Sequence, residues 1–239
     1  GIWCVPKFSN PTGIVFSDET VRRLASMKTA APDFRIFWDN AYPVHTIWDD
    51  VPLLNLLDEC KKAGNPNRAY MFGSTSKITF PGAGVTCFAA SEDNIEFTLG
   101  QLQYTMICND KMNMLRHVRF LKDMNNVRAH MARHAELTRP RFEAILSGLS
   151  KNLAPLGIGS WHRPRGGYFI TYFAPFGCAK RIVSLCKEAG VTLTEAGCAH
   201  PYHNDPEDSV IRFAPTGQSA EKLAVAIEIF CLAARLAYA

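Results

Sequence analysis

An α/β chain with a mostly parallel sheet, continued by a smaller α+β unit, is what the sequence predicts. Three observations predict it. Short apolar runs of strand length alternate with helix-patterned segments over residues 1–90, the pattern of parallel strands joined by crossover helices. A long helical pattern then occupies residues 92–149. Beyond it, two further strand-like runs are each followed by a helix.

Residues 1–6 (GIWCVP) are apolar and short, and the loop after them carries Ser9-Asn10-Pro11-Thr12-Gly13, a turn composition. Ser17 is placed as an N-cap, with Asp18 and Glu19 in the first turn of a helix predicted to reach about residue 31. FRIFW at 34–38 reads as a buried strand ending at Asp39. Residues 52–63 have amphipathic spacing closed by Gly64, and 69–73 and 85–90 read as further strands. Residues 122–149 form one long helix or two in succession. Gly148, Gly157 and Gly159 then punctuate a change. A strand at 166–173 (GGYFITYF), a helix at 178–189, a strand at 209–214 (SVIRFA) and a closing helix at 218–237 complete the chain. The division expected is 1–121, part of a large domain; 122–149, a connecting helix; and 150–239, a small domain. No internal repeat or low-complexity segment is visible.

Composition narrows the function classes. Forty-seven per cent of the 239 residues are hydrophobic and 20% charged, which supplies a real core. The net charge of +4 is mild and scattered, with no basic run interleaved with aromatics of the kind that tracks a nucleic-acid backbone. A small positive balance does suit anionic substrates. The eight cysteines contain no C-x-x-C pair, so neither zinc nor a disulfide framework is predicted. Buried free thiols are expected, as in the apolar runs around Cys4 and Cys87. Glu228 breaks the only long apolar stretch and no signal peptide is visible, so a soluble, cytoplasmic protein without a membrane span is expected. The sequence opens inside a strand-like run without an initiator Met, and a C-terminal portion of a longer protein is expected.

Four stretches carry candidate chemistry: Asn10-Pro11-Thr12-Gly13, Asp39-Asn40-Ala41-Tyr42, Ser74-Thr75-Ser76-Lys77 and Ile211-Arg212-Phe213. The first three lie at predicted strand ends, where a parallel sheet gathers its ligands; the last lies inside a strand. Singly each is weak. NPTG is a sound turn, an Asp at a strand end is usually a cap, and a lysine after small polar residues is usually solvated. Arg212 is less ordinary, because a guanidinium in an apolar strand needs a partner.

Together and in this order, the four stretches resemble the fold-type I pyridoxal-phosphate (PLP) enzymes, specifically the class I/II aminotransferases. The resemblance covers essentially the whole chain and is most specific in DNAY and STSK. It implies that residues 1–121 belong to the PLP-binding large domain, and that Lys77 forms the Schiff base with the cofactor and later moves a proton. Asp39 would pair with the pyridine nitrogen and keep it protonated. Asn10 and Tyr42 would donate to the 3-hydroxyl oxygen, and Ser74 and Ser76 would bind the phosphate. Arg212 would hold the substrate α-carboxylate, with Asn10 beside it. Desolvation and nearby cations would keep the Lys77 amine nucleophilic.

One departure is plain. Many relatives carry an Arg in a Pro-Gly-x-Arg stretch after the lysine, whereas this chain reads Pro81-Gly82-Ala83-Gly84. That variant, STSKITFPGAG, resembles a divergent aspartate aminotransferase subgroup grouped with MocR-type sequences. The resemblance implies a PLP-dependent aminotransferase acting on an amino acid and a 2-oxo acid, aspartate and glutamate favoured, in a cytoplasmic homodimer. Alternatives are a MocR-like regulator that senses PLP or an effector without turnover, and another fold-type I chemistry such as a C–S lyase. Lys111 is a candidate cation for a dicarboxylate side chain or a plain surface lysine. His130 and His134, at zinc-compatible spacing but without a third ligand, read as solvated or core residues. Gly166-Gly167-Tyr168 resembles a substrate-facing strand of the small domain.

Overall fold

Strands β1 (Ile2–Cys4), β2 (Ile36–Asn40) and β3 (Ala69–Ser74) run parallel, and β4 (Thr86–Ala89) joins β3 antiparallel, in the order β1-β2-β3-β4. The computed structural model describes residues 1–239 and divides into two units. The first comprises Gly1–Lys7, Val15–Val44 and Val51–Met131; the second comprises Phe8–Ile14, His45–Asp50 and Ala132–Ala239. The α/β class with a mostly parallel sheet is as the sequence predicts.

Within the first unit, alternation along the strands sorts the side chains. Cys4, Ile36, Trp38 and Ala69 enter a core with Val21 and Ala25 of α1 (Asp18–Ser26) and with Leu56 and Cys60 of α2 (Leu56–Lys62). Ile36 and Trp38 are buried to within 1% of completeness, each stabilising the unit by on the order of 2 kcal/mol. The opposite face carries aromatic rings, with Trp3 stacked on Phe37 at 5.5 Å and Phe72 packed against Phe88 at 5.4 Å. Ser17 caps α1 by accepting from the Thr20 N–H at 3.1 Å, as its position predicts.

Helix boundaries differ from expectation where side chains distant in sequence intervene. α1 stops at Ser26 rather than near residue 31, because Asn65 donates to the Ala25 carbonyl (2.9 Å) and Arg68 to that of Met27 (2.9 Å). Those donors satisfy carbonyls that a longer helix would have used itself. α2 starts four residues later than predicted because Asn55 caps it, accepting from the Leu57 N–H at 3.0 Å. α3 (Glu92–Leu102) and α4 (Lys111–Leu121) follow, capped by Ser91 and Asp110. Lys122, at φ 57°, separates α4 from the single long helix α5 (Met124–Asn152).

In the second unit, β5 (Ser160–Trp161), β6 (Ile170–Phe173) and β7 (Val210–Phe213) form an antiparallel sheet. It packs with the later turns of α5, α6 (Ala179–Glu188) and α7 (Ala220–Tyr238) around Phe142, Leu149, Tyr172, Ile211 and Phe230. Gly148 lets α5 and α7 approach: a Cβ there would fall 2.5 Å from Ile227 Cγ2. The strand expected at 166–173 begins only at Ile170. Gly166 and Gly167 instead run beside the 45–50 segment, with Gly167 N–H donating to the His45 carbonyl at 2.8 Å.

All eight cysteines are free, but burial is not uniform. Cys4, Cys60, Cys186 and Cys231 are buried, whereas Cys87 and Cys108 are exposed. Cys87 departs from the expectation because β4 lies at the end of the strand order and three of its four residues are exposed. Burial pushes the Cys60, Cys186 and Cys231 thiols up to about 11, which leaves them protonated and inert. No helix is long and apolar enough to cross a membrane.

Asp205, 6% exposed, accepts backbone N–H bonds from Glu207 (3.1 Å), Ser209 (2.8 Å) and Val210 (2.9 Å), and so fixes the entry to β7. Desolvation acts upward on its pKa, but the three N–H groups and His200 outweigh it and hold the carboxyl below its ordinary value. Asp205→Ala is expected to cost about 2 kcal/mol in thermal or denaturant unfolding. A depressed folded-state pKa gives stability that is complete above the unfolded value and is lost as pH falls through the folded one. The difference between wild type and variant should therefore be full at pH 7 and shrink below about pH 4.

Candidate active site

Two neighbouring parallel strands, β2 and β3, carry the candidate chemistry of the first unit at their carboxyl ends. Asp39 is the penultimate residue of β2, in register with Phe72, and its Oδ2 accepts from Trp3 Nε1 at 3.3 Å. Asp39-Asn40-Ala41-Tyr42 leaves the strand there, and the Tyr42 ring is buried. Lys77 follows the end of β3 and sets its Nζ 5.5 Å from the Tyr42 ring centroid, a cation–π distance. Lys77 is exposed.

A tight loop presents the lysine. The Thr75 carbonyl accepts from the Ile78 and Thr79 N–H groups at 2.8 Å each, closing one turn. Thr75 also closes the loop at its base, its N–H donating to Val85 O (2.9 Å) and its Oγ1 accepting from Val85 N–H (2.8 Å). Ser74 Oγ lies 2.8 Å from Ser76 Oγ and accepts from the Ser76 N–H at 3.1 Å. Gly84 passes so near this pair that a Cβ would fall 2.2 Å from Ser76 Oγ and 2.8 Å from Ser76 N. No side chain fits at position 84 without moving the serine. An arginine is therefore excluded at this position, and what stands here instead is the Ser74–Ser76 hydroxyl pair. Gly84→Ala is expected to lower PLP affinity about tenfold, measured by fluorescence titration of the full-length protein, while the unfolding midpoint moves little.

The second unit holds Asn10 and Arg212. Strand alternation buries Ile211 and Phe213 and turns Arg212 to the other side of β7, across from Thr171. Arg212 Nη1 donates to Asn10 Oδ1 at 2.8 Å, and the guanidinium stands 4.8 Å over the Phe169 ring. Because a guanidinium only donates, this bond fixes the Asn10 amide and leaves Nδ2 as its donor. Arg212 Nε is buried and has no acceptor within the chain. A buried donor of a cation without an acceptor is costly, and a ligand carboxylate is the chemistry that satisfies it.

The structure thus joins Lys77 to Tyr42, Ser74 to Ser76, and Asn10 to Arg212. Asn10 bonds the arginine through the oxygen that the sequence reading left unassigned. Phe169 beneath Arg212 and the close approach of Gly84 to Ser76 were not foreseen. Lys111 is exposed at the first position of α4. No group of three or more His, Cys, Asp or Glu side chains could hold a metal ion. A cavity of about 520 Å³ in the second unit is bordered by Arg212, Thr194, Gln218 and Lys222, but by none of the other candidate residues.

Comparison with known proteins identifies the family. The aspartate amino-transferase family model matches residues 1–239. A Mycolicibacterium smegmatis protein, provisionally named an aminotransferase, is 49% identical over 99% of this chain and 56% of its own length. An aspartate aminotransferase of Corynebacterium glutamicum is 44% identical over 95% of this chain and 53% of its own length. The crystal structure of an aspartate transaminase from that organism superposes with a TM-score of 0.95 at 43% identity, covering 99% of this chain and 57% of the other. The chain spans about half the length of the curated relatives it matches. On a match that runs from its first residue to its last, the chain belongs to the aspartate aminotransferase family.

Proposed function

We propose that the protein is a PLP-dependent aminotransferase that moves an amino group between aspartate or glutamate and a 2-oxo acid. The observation that carries this reading is the lysine loop. An exposed amine stands beside paired serine hydroxyls and a glycine cradle, at the end of the strand next to the one bearing Asp39. The cofactor, when bound, supplies an aldehyde that Lys77 can engage and a cationic ring that draws electron density from the substrate Cα–H bond.

The chain's own groups then divide the work. Asp39 contributes a carboxylate that keeps a proton on the ring nitrogen. The Ser74 and Ser76 hydroxyls hold the phosphate, and Tyr42 and the Asn10 Nδ2 group donate to the ring hydroxyl oxygen. Arg212 orients the substrate by its α-carboxylate, using the buried Nε donor and the Nη group not engaged by Asn10. The Lys77 Nζ would take the proton from the substrate Cα and deliver it to the carbon on the other side of the substrate nitrogen, the one the cofactor's aldehyde supplies. Aspartate as donor is supported by the name of the 44% identical relative. The STSKITFPGAG loop supports the grouping with MocR-type sequences. A cytoplasmic homodimer is part of the same reading.

The test uses the full-length protein supplied with PLP, L-aspartate and 2-oxoglutarate. Glutamate and oxaloacetate should form with ping-pong kinetics, and borohydride reduction before substrate is added should fix the cofactor on the peptide containing Lys77. Cofactor binding without any amino transfer would favour an effector-sensing regulator. Release of a thiol or of pyruvate from cysteine conjugates would favour a lyase.

A further inference from the structure

Three polar side chains grip the segment that follows Lys77, and the reaction described above uses none of them. Asn113 on α4 donates from Nδ2 to the Ala83 carbonyl at 2.8 Å. His117, one turn further along, sets Nε2 2.8 Å from Thr79 Oγ1 and Nδ1 2.9 Å from the Asn113 carbonyl. His130, in the first turns of α5, sets Nε2 2.9 Å from the Ile78 carbonyl, with its ring edge against Phe120 at 5.2 Å.

Carbonyl oxygens only accept, so His117 Nδ1 and His130 Nε2 each carry a proton. In its neutral form His117 accepts at Nε2 from the Thr79 hydroxyl. That hydroxyl also lies 3.1 Å from the Thr75 carbonyl, so its single proton serves one acceptor or the other. His117 is 9% exposed, and a buried imidazole is costly unless both nitrogens are satisfied. Its Nε2 is satisfied only while Thr79 stays where it is. The three anchors fall at positions 78, 79 and 83, on both sides of the Pro81-Gly82 bend and within two residues of Lys77 at one end. At the other end Ala83 adjoins Gly84, whose backbone lies against Ser76.

We infer that Asn113, His117 and His130 are positioning residues: they fix the 78–84 return so that Lys77 and the Ser76 hydroxyl stand at set places beside the sheet. The inference rests on the proposed role of Lys77 and deepens it. A reacting amine must be held to a fraction of an ångström, and an exposed lysine on a loop obtains that only from what anchors the loop.

Hydrogen–deuterium exchange on cofactor-free full-length protein reads the clamp directly. The amides of residues 75, 78, 79 and 83 are hydrogen-bonded inside the loop. They should exchange about tenfold faster in Asn113→Ala and in His117→Ala, with the β2 and β3 amides unchanged. In the loaded protein, PLP affinity and kcat should each fall about tenfold, with KM for aspartate altered less than about twofold. His117→Gln, whose amide reaches close to the position of Nε2, should recover most of both losses. His130→Leu removes the donor to the Ile78 carbonyl and provides a second variant, with the same faster exchange expected, should His117→Ala fold poorly. Wild-type exchange in both Asn113→Ala and His117→Ala would overturn the inference, as would wild-type exchange in Asn113→Ala alone where His117→Ala does not fold. So would faster exchange with cofactor affinity and kcat intact. Wild-type protein that takes no cofactor at Lys77 would instead refute the functional reading, with the exchange data still deciding whether the clamp exists.

Discussion

Replacing Lys77 by alanine in the full-length protein is expected to lower the rate of amino-group transfer at least about 10³-fold, with the unfolding midpoint shifted by no more than about 2 °C. The two halves of that expectation have separate origins. Lys77 is exposed, with its Nζ 5.5 Å from the Tyr42 ring centroid, so truncation removes little packing. Chemically, nothing nearby replaces it. The amine the proposed reaction needs must be nucleophilic and then carry a proton between the two carbons flanking the substrate nitrogen, and Tyr42, Ser74 and Ser76 supply only hydroxyls. Lys77→Arg should be no better than alanine, because a guanidinium stays protonated and does not act as a nucleophile. The phosphate contacts proposed for the Ser74–Ser76 pair and the ring contact proposed for the Asp39 carboxylate do not depend on the lysine. The alanine variant should therefore still take up PLP, but borohydride should no longer attach it to the protein. Retained turnover, or a borohydride label elsewhere in wild type, would remove the basis of the assignment.

Much of the fold was legible because the strands carry their signal locally. FRIFW and SVIRFA are short apolar runs bounded by polar residues, and the structure forms β2 and β7 within two residues of those limits. Helix ends were less legible for a physical reason. α1 is ended by side chains from residues 65 and 68, about forty positions away, and no local pattern announces that Asn65 and Arg68 will take its last carbonyls. β5 is two residues long and is held by pairing with β6, so its own sequence carries almost no strand signal.

For the site, residue types were readable and partners were not. Lysine after small polar residues, an acid at a strand end and an arginine in an apolar strand are each visible in one dimension. The 2.8 Å bond from Arg212 to Asn10 spans 202 positions, and it commits the asparagine oxygen to a task its place in an NPTG turn does not suggest. Gly84 read as a missing arginine. Its meaning is steric, since the approach to Ser76 excludes any side chain. His130 read as a solvated or core histidine on a helix, whereas it bonds a backbone carbonyl 52 positions earlier, next to the lysine.

Arg212→Lys is the sharper test of how substrate is held, and its kcat/KM for aspartate is expected to fall about 100-fold, nearly all of it in KM. Lysine keeps the positive charge and can still lie over Phe169, so a purely electrostatic role would survive the change. What it loses is the fork. In the arginine, Nη1 is engaged by Asn10 and the buried Nε has no acceptor in the chain, so the remaining donors form a rigid edge for a carboxylate. A flexible ammonium cannot serve Asn10 and two carboxylate oxygens with the same directionality, and a loss near 100-fold corresponds to about 2.7 kcal/mol. Asn10→Ala should cost less, about tenfold, by releasing the guanidinium from its fixed orientation. Because both changes act on one hydrogen bond, the double variant should lose less than the product of the two. A fall in kcat alone with KM for aspartate unchanged would mean that Arg212 does not grip the substrate, and would move the carboxylate contact to another residue.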